Sequence, residues 1–156
     1  MTTIAKPQGC TNFKLRQLGR RVSRLYDAEL AQVGLKTTQY SLLSHVLKLG
    51  PLRPVDLARA MGLTASTLTR NLQPLLAAGW IEQAEGPDAR SRLLHITDAG
   101  RDKRAEAQRR WRAAQERLNE VMGLERVLAL HGLLDEAIDL LRANEDGDAD
   151  EGEEHE

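Results

Sequence analysis

The hydrophobic period of this chain changes once, between Gly79 and Thr97, and that change limits the folds open to it. On either side, apolar residues recur at spacings of three and four, the period of an amphipathic helix. Within the interval, Trp80-Ile81-Glu82-Gln83-Ala84 and Arg92-Leu93-Leu94-His95-Ile96 read as two short strands. The residues between them include Gly86, Pro87 and Asp88, which favour turns. One hairpin with an exposed tip is therefore set into an otherwise helical chain.

The helices are delimited by their breakers. A first runs from Phe13 to Val33, with Leu15, Leu18, Val22, Leu25, Tyr26, Leu30 and Val33 on one face and Gly34 as its stop. Thr37 or Thr38 caps a second, which reaches about Leu49 before the Gly50-Pro51 break. A short third starts at Pro54, a residue well suited to a first helical position, and ends at about Met61 before Gly62. Thr64 caps a fourth, which runs to about Ala78 with Leu68, Leu72, Leu75 and Leu76 inward. Pro74 lies inside it, removes the bond back to Arg70 and predicts a bend. Thr97 caps a fifth helix, Asp98 to about Met122, that is polar through Arg112. A sixth, Leu124 to about Arg142, is apolar on more than one face and needs a second chain to cover it.

A helix of about eight residues, a tight turn at Gly62-Leu63-Thr64 and a longer helix make a helix-turn-helix, and the hairpin adds a wing. The predicted fold is mainly α with a small β-hairpin wing: a winged helix-turn-helix flanked by long N- and C-terminal dimerisation helices. Residues 1–11 form an N-terminal arm, 12–50 and 98–143 the helical dimerisation region, 51–97 the winged region and 144–156 a disordered acidic tail. In a helix-turn-helix the second helix enters the major groove with its N-terminal residues at base edges. Those residues here are Ser66, Thr67, Thr69, Arg70 and Asn71. Hydroxyls bond phosphates, Arg pairs with guanine and Asn with adenine. At the wing, Arg90 and Arg92 are placed to reach an adjacent minor groove, and Asp88 carries the charge to hold an arginine in one pose. Arg53 is a further candidate for a phosphate.

The net charge of −1 conceals an uneven distribution. The last thirteen residues hold eight acids and no Lys or Arg; without them, 22 basic and 15 acidic residues give a net of +7. A basic body suits a polyanionic partner. The first nine residues lack the apolar segment of a secretory signal, and no apolar run approaches membrane-spanning length, so a cytoplasmic location without membrane contact is expected. Cys10, the single cysteine, forms no internal disulfide. No cofactor or metal is expected, because His45, His95, His131 and His155 are scattered without ligand spacing. Nucleophile-elbow, phosphate-loop and zinc-protease motifs are missing, so no enzymatic activity is expected.

Two runs carry a family resemblance: LARAMGLTASTLTRNLQPLLAAGWIE and DARSRLLHITDAGR. They resemble the core of the MarR family of bacterial regulators, the second matching its wing signature of Asp, one residue, Arg, then an apolar strand ending in a Thr-x-x-Gly turn. GLKTTQYSLL, residues 34–43, resembles the family's first-to-second helix junction. With the outer helices the resemblance covers about residues 12–142. It implies a homodimer built from the first, fifth and sixth helices and two winged motifs on a near-palindromic site. It also implies Arg90 as the minor-groove arginine with Asp88 as its partner, and contacts from Arg70, Ser66, Thr67 and Thr69. Pro74 departs from the commoner family pattern.

The resemblance further implies a switch, either a small phenolic or other aromatic anion or oxidation. For an anion, Arg16, Arg20 or Arg24 would pair with a carboxylate, and Tyr40, His45 or Trp111 would pack on a ring; His45 also reads as a hydrogen-bonded core histidine. For oxidation, Cys10 precedes the first helix, where a helix N-terminus and nearby Lys6, Lys14 and Arg16 favour a thiolate. The peroxide-sensing branch would carry its cysteine at Asn12, two residues later. The function expected is a homodimeric transcriptional regulator binding double-stranded DNA, a repressor released by such an anion or by oxidation. The alternative is a winged-helix protein-interaction adaptor without sequence-specific DNA binding.

Overall fold

A computed structural model describes residues 8–88 and 91–151. Its elements are α1 (Thr11–Leu30), a 3-10 turn (Ala31–Val33), α2 (Thr37–Leu49), α3 (Pro54–Met61), α4 (Ala65–Ala77), β1 (Ile81–Glu85), β2 (Arg92–Ile96), α5 (Asp98–Met122) and α6 (Leu124–Glu151). The described residues divide into two compact units at Gln115.

Up to Gln115, one core joins the winged motif to the helices around it. Leu30 and Leu35 near the end of α1, Leu42, Leu43 and Val46 of α2, Leu57 of α3, Leu68, Leu72 and Leu75 of α4, Ile81 and Leu94 of the hairpin and Ala107 of α5 form a single buried cluster. Residues 51–97 therefore share their apolar interior with α1, α2 and the first part of α5. The buried residues of α5 are Gly100, Ala107 and Ala114, seven apart, so a helix that reads as polar enters the core through small residues.

The hairpin is antiparallel, in the register Ile81↔Ile96, Glu82↔His95, Gln83↔Leu94, Ala84↔Leu93 and Glu85↔Arg92. A third segment joins it: Leu52 exchanges both backbone hydrogen bonds with Leu94, at 3.1 and 2.8 Å. The base of the hairpin is tied to α5 by Thr97. Its hydroxyl donates to the Gly79 carbonyl (2.6 Å) and accepts from the Gly100 N–H (3.0 Å), while its own N–H donates to the Trp80 carbonyl (3.0 Å). A Cβ at Gly100 would run into that same Trp80 carbonyl oxygen and into Ile96 Cγ1.

Local chemistry explains the other boundaries. Thr64 is the N-cap of α4, accepting from the Thr67 N–H at 3.3 Å. Gly62 ends α3 at φ 63°, a left-handed conformation that glycine adopts without steric cost. The first helix is shorter than the apolar period predicts, because its last turn tightens to 3-10 over Ala31–Val33. The N-cap of α2 is Lys36 rather than Thr37 or Thr38. Asp27 of α1 does the capping from a distance, its carboxylate accepting both the Thr37 N–H and the Thr37 hydroxyl at 2.7 Å. Pro74 is exposed, and α4 runs through it to Ala77 with Leu72 and Leu75 buried on either side.

The second unit contains the end of α5 and α6, separated by Gly123 at φ 83°. The apolar period predicts an end near Arg142 and a disordered tail from residue 144; the helix instead continues to Glu151. Ala143, Glu145 and Ala149 are good helix formers, and the one glycine within the extension, Gly147, costs only about 1 kcal/mol relative to alanine. Leu124, Leu128, Leu133, Ile138, Leu140 and Leu141 on this helix are exposed, between 47% and 66%. Among the described residues, no helix is long and apolar enough to cross a membrane.

Gly100→Ala is expected to destabilise the fold by about 1–3 kcal/mol or more, since the added methyl meets backbone rather than a yielding side chain. A denaturant midpoint unchanged from the parent would contradict this packing.

Candidate functional site

The first turns of α4 present a polar surface over an apolar underside. Leu68, Leu72 and Leu75 are buried, whereas Ser66, Thr69 and Arg70 are exposed and Thr67 and Asn71 half-buried. The hydroxyls are already organised. Thr64 donates to Thr67 Oγ1 at 2.9 Å and lies 3.3 Å from Ser66 Oγ. Thr69 donates to the Ala65 carbonyl at 2.9 Å, so bonding a phosphate oxygen, itself an acceptor, requires its hydroxyl to turn away from the helix. Among the described residues Arg70 has no carboxylate partner, which leaves its guanidinium donors free. Pro74 has no N–H, so the Arg70 carbonyl lacks its usual helical donor.

Arg90, expected at the tip of the wing, lies outside the described residues. Its flanks are defined. The Asp88 carbonyl accepts from both the N–H (2.9 Å) and hydroxyl (3.0 Å) of Ser91, and the Gly86 N–H donates to the Ser91 carbonyl (2.7 Å). These bonds draw the two sides of the loop together. Arg92, exposed on β2, donates to Gln83 Oε1 across the hairpin at 3.3 Å.

Arg53 is the N-cap of α3 and makes a two-point contact with Asp56, from Nε at 2.8 Å and from a terminal nitrogen at 3.0 Å. The hydrogen bond from Arg53 holds the Asp56 carboxyl below the usual carboxylate range; desolvation opposes it, and the charges of Arg53 and Arg59 add to it. A depressed carboxyl contributes its pairing above the ordinary carboxylate range and loses it as pH falls through the lowered value. The pair is therefore intact at neutral pH.

The aromatic residues do converge. Tyr40 of α2 and Trp111 of α5 stack with centroids 6.2 Å apart and 27° between planes, and Tyr26 of α1 tilts against Trp111 at 6.3 Å. Burial pushes the Tyr26 hydroxyl pKa up, and that hydroxyl donates to Gln115 Oε1. Tyr40 and Trp111 line a cleft of about 440 Å³ with Thr37, Ser44, Arg104 and Gln108.

The cation in this cleft is Arg104, not Arg16, Arg20 or Arg24, which lie on the exposed side of α1 outside its lining. The reason is angular: with 100° per residue, the buried side of α1 passes through Val22, Tyr26 and Leu30, and Arg20 and Arg24 fall well round from it. Arg104 lies 5.9 Å over the Tyr40 ring and donates to Gln108 Oε1 (2.9 Å) and Ser44 Oγ (3.3 Å). Its signal was present in the sequence, since Arg104, Gln108 and Trp111 share one face of α5 at i, i+4 and i+7. His45 borders a neighbouring cleft with Lys48 and Arg104. Its Nδ1 lies 2.7 Å from the Ser41 carbonyl, which can only accept, so Nδ1 carries the proton. Cys10 is exposed at the N-cap position of α1 and makes no side-chain cap bond.

Known proteins share this arrangement. Residues 33–91 match the family model described as MarR family. Over those residues the chain is similar to the MarR family. The multiple antibiotic resistance protein MarR of Salmonella typhimurium is 31% identical over 84 residues, 53% of this chain and 58% of that protein. The chain thus matches less than two thirds of the length of the curated relatives. Solved structures align over more. The M. tuberculosis transcriptional regulator MosR, solved in complex with DNA, is 29% identical with a TM-score of 0.67, covering 83% of this chain and 98% of that one. The transcriptional repressor CouR, bound to a 23-mer DNA duplex, is 25% identical with a TM-score of 0.75, covering 83% and 92%. The expected mainly helical winged fold with its two-stranded hairpin is the one these structures have.

Thr64→Ala should remove the cap of α4 and lower stability by about 1 kcal/mol. Thr64→Ser should restore most of it, measured by chemical denaturation; equal midpoints for all three proteins would exclude capping by this hydroxyl.

Proposed function

We propose that this chain is a homodimeric transcriptional repressor of the MarR type that binds a near-palindromic site in double-stranded DNA and is released by a small aromatic anion. The observation that carries the reading is the exposed first half of α4, with Ser66, Thr69 and unpaired Arg70 above a leucine underside. Two relatives of the same fold are solved on DNA, which supports the same partner here. In this reading Arg70 and Asn71 meet base edges, Ser66 and Thr67 meet phosphates, and the wing supplies Arg90 and Arg92, with Asp88 holding Arg90. DNA as partner implies a cytoplasmic site of action, and no chemical transformation is involved. The exposed leucines of α6 support a second copy as the cover for that helix.

Of the two switches, the Tyr40–Trp111–Arg104 cleft favours the anion. A guanidinium already oriented by Ser44 and Gln108, beside stacked rings, offers a carboxylate a charge-assisted partner and its ring an apolar wall. Oxidation would act at Cys10, exposed at the N-cap position of α1, where no second group of a built site accompanies it.

The test of DNA reading is titration of duplex from the protein's own upstream region. Arg70→Ala and Arg90→Ala should each weaken binding about 5- to 150-fold, the range for losing one specific base contact or groove arginine. Full affinity in both variants would reject reading by α4 and the wing, and no binding by the parent would favour an adaptor role.

The switch is tested by adding aromatic carboxylates, or peroxide, to the preformed complex. A carboxylate should release the DNA, and Arg104→Ala should raise the concentration needed about tenfold or more, as expected for losing a hydrogen bond to a charged group. Release by peroxide that Cys10→Ser abolishes, with no response to carboxylates, would replace the anion by oxidation.

A further inference from the structure

We propose that Arg53, Asp56 and Arg59 form a phosphate clamp at the start of α3, in which Asp56 is a positioning residue that holds two guanidinia toward one strand of the DNA backbone. The inference rests on the DNA-binding reading and adds Asp56 and Arg59 to it. Asp56 sits in the first turn of α3, between the two arginines in sequence. It accepts from Arg53 at two points, and its other contact is Arg59, whose terminal nitrogen is 3.8 Å away. Both guanidinia stay largely open to solvent, at 57% and 78%, while the carboxylate between them is 35% exposed.

The donor count favours a ligand. A guanidinium has five N–H donors, and Asp56 engages two of those on Arg53. Among the described residues, the remaining donors of Arg53, and those of Arg59 beyond its 3.8 Å contact with Asp56, have no other protein acceptor. A bridging carboxylate of this kind reduces the freedom of two long side chains before any ligand arrives, and preorganised arginines lose less entropy on binding. The location selects the ligand class. Arg59 lines a groove of about 480 Å³ with Ala65, Leu68 and Thr69, the first turns of α4. A helix that enters a major groove is flanked by phosphodiesters, so cations beside its N-terminal turns meet backbone rather than bases. The clamp adds affinity that is independent of sequence.

Asp56 has two opposing effects on a polyanion. Its charge repels phosphate, while its hydrogen bonds to Arg53 and its ion contact with Arg59 orient two cations that attract it. The proposal requires the second to exceed the first, and this gives a reversal of sign that a helix-stabilising role alone would not produce. With the full-length protein, affinities are measured against upstream duplex and against a scrambled duplex of equal length, over a series of salt concentrations. Arg59→Ala should weaken both duplexes alike, about three- to tenfold, and reduce the salt slope by about two, one contact for each subunit of the dimer. Asp56→Asn should weaken both by about three- to tenfold although it makes the protein more basic, if freeing two side chains outweighs the charge gained. In the Arg53→Ala/Arg59→Ala background the same Asp56→Asn change should instead tighten binding, because only the repulsion remains to be removed.

Tighter binding by Asp56→Asn alone, or weakening of similar size in both backgrounds, overturns the clamp. Melting temperatures of all variants check that the fold is retained. A parent protein that binds neither duplex removes the DNA-binding reading and the clamp together, whereas a parent that binds and variants that do not differ from it remove the clamp only.

Discussion

Thr97 joins three things that would otherwise be independent: the end of α4, the base of the hairpin and the start of α5. Its hydroxyl and N–H take the carbonyls of Gly79 and Trp80 and cap α5 at Gly100. The absence of a side chain at Gly100 lets α5 come down onto the Trp80 carbonyl. Because α4 runs into β1 through Gly79 and Trp80, the polar face of α4 and the hairpin are held to one reference. The third segment at Leu52 fastens the start of α3 to the same hairpin, so Arg53 next to it belongs to that frame as well.

The cleft and the polar surface of α4 share one core but not one set of side chains. Tyr40 belongs to the buried cluster and Trp111 packs on it, as do the leucines under Ser66 and Arg70. Volume taken up between α2 and α5 must therefore be accommodated against residues that also support α4, because close-packed interiors transmit displacement. Asp27 adds a second attachment, fixing the first turn of α2 to α1 next to the cleft.

Much of this was legible in the sequence, and the failures have physical causes. Gly62, Thr64 and the cap that Thr97 gives Gly100 act locally, within three residues, and could be read from position alone; the bonds of Thr97 to Gly79 and Trp80 could not, because those partners lie far back in the chain. The hairpin was legible because its period and turn residues agree. Asp27 was not, because its partner Thr37 is ten residues away and sequence favours a local hydroxyl as cap. The Tyr40–Trp111 cleft is lined by Arg104, whereas Arg16, Arg20 and Arg24 are exposed on α1 outside its lining. Arg104 was passed over because it lies in a run of charged residues, where one inward arginine looks like its neighbours. The end of α6 was misplaced because apolar period marks where a helix is packed, not where it stops.

Apart from Trp111, which stacks on Tyr40, the positions where α5 enters the core are small. Gly100, Ala107 and Ala114 leave little volume to be lost by truncation, so at these three positions the usual failure of a protein interior has little to act on. Their failure is crowding. Any larger side chain at these three positions pushes the helix outward, whereas the charged positions between them accept wide chemical change. Tolerance here is governed by a ceiling on size rather than by a demand for hydrophobicity, which is why so polar a sequence can occupy so central a place.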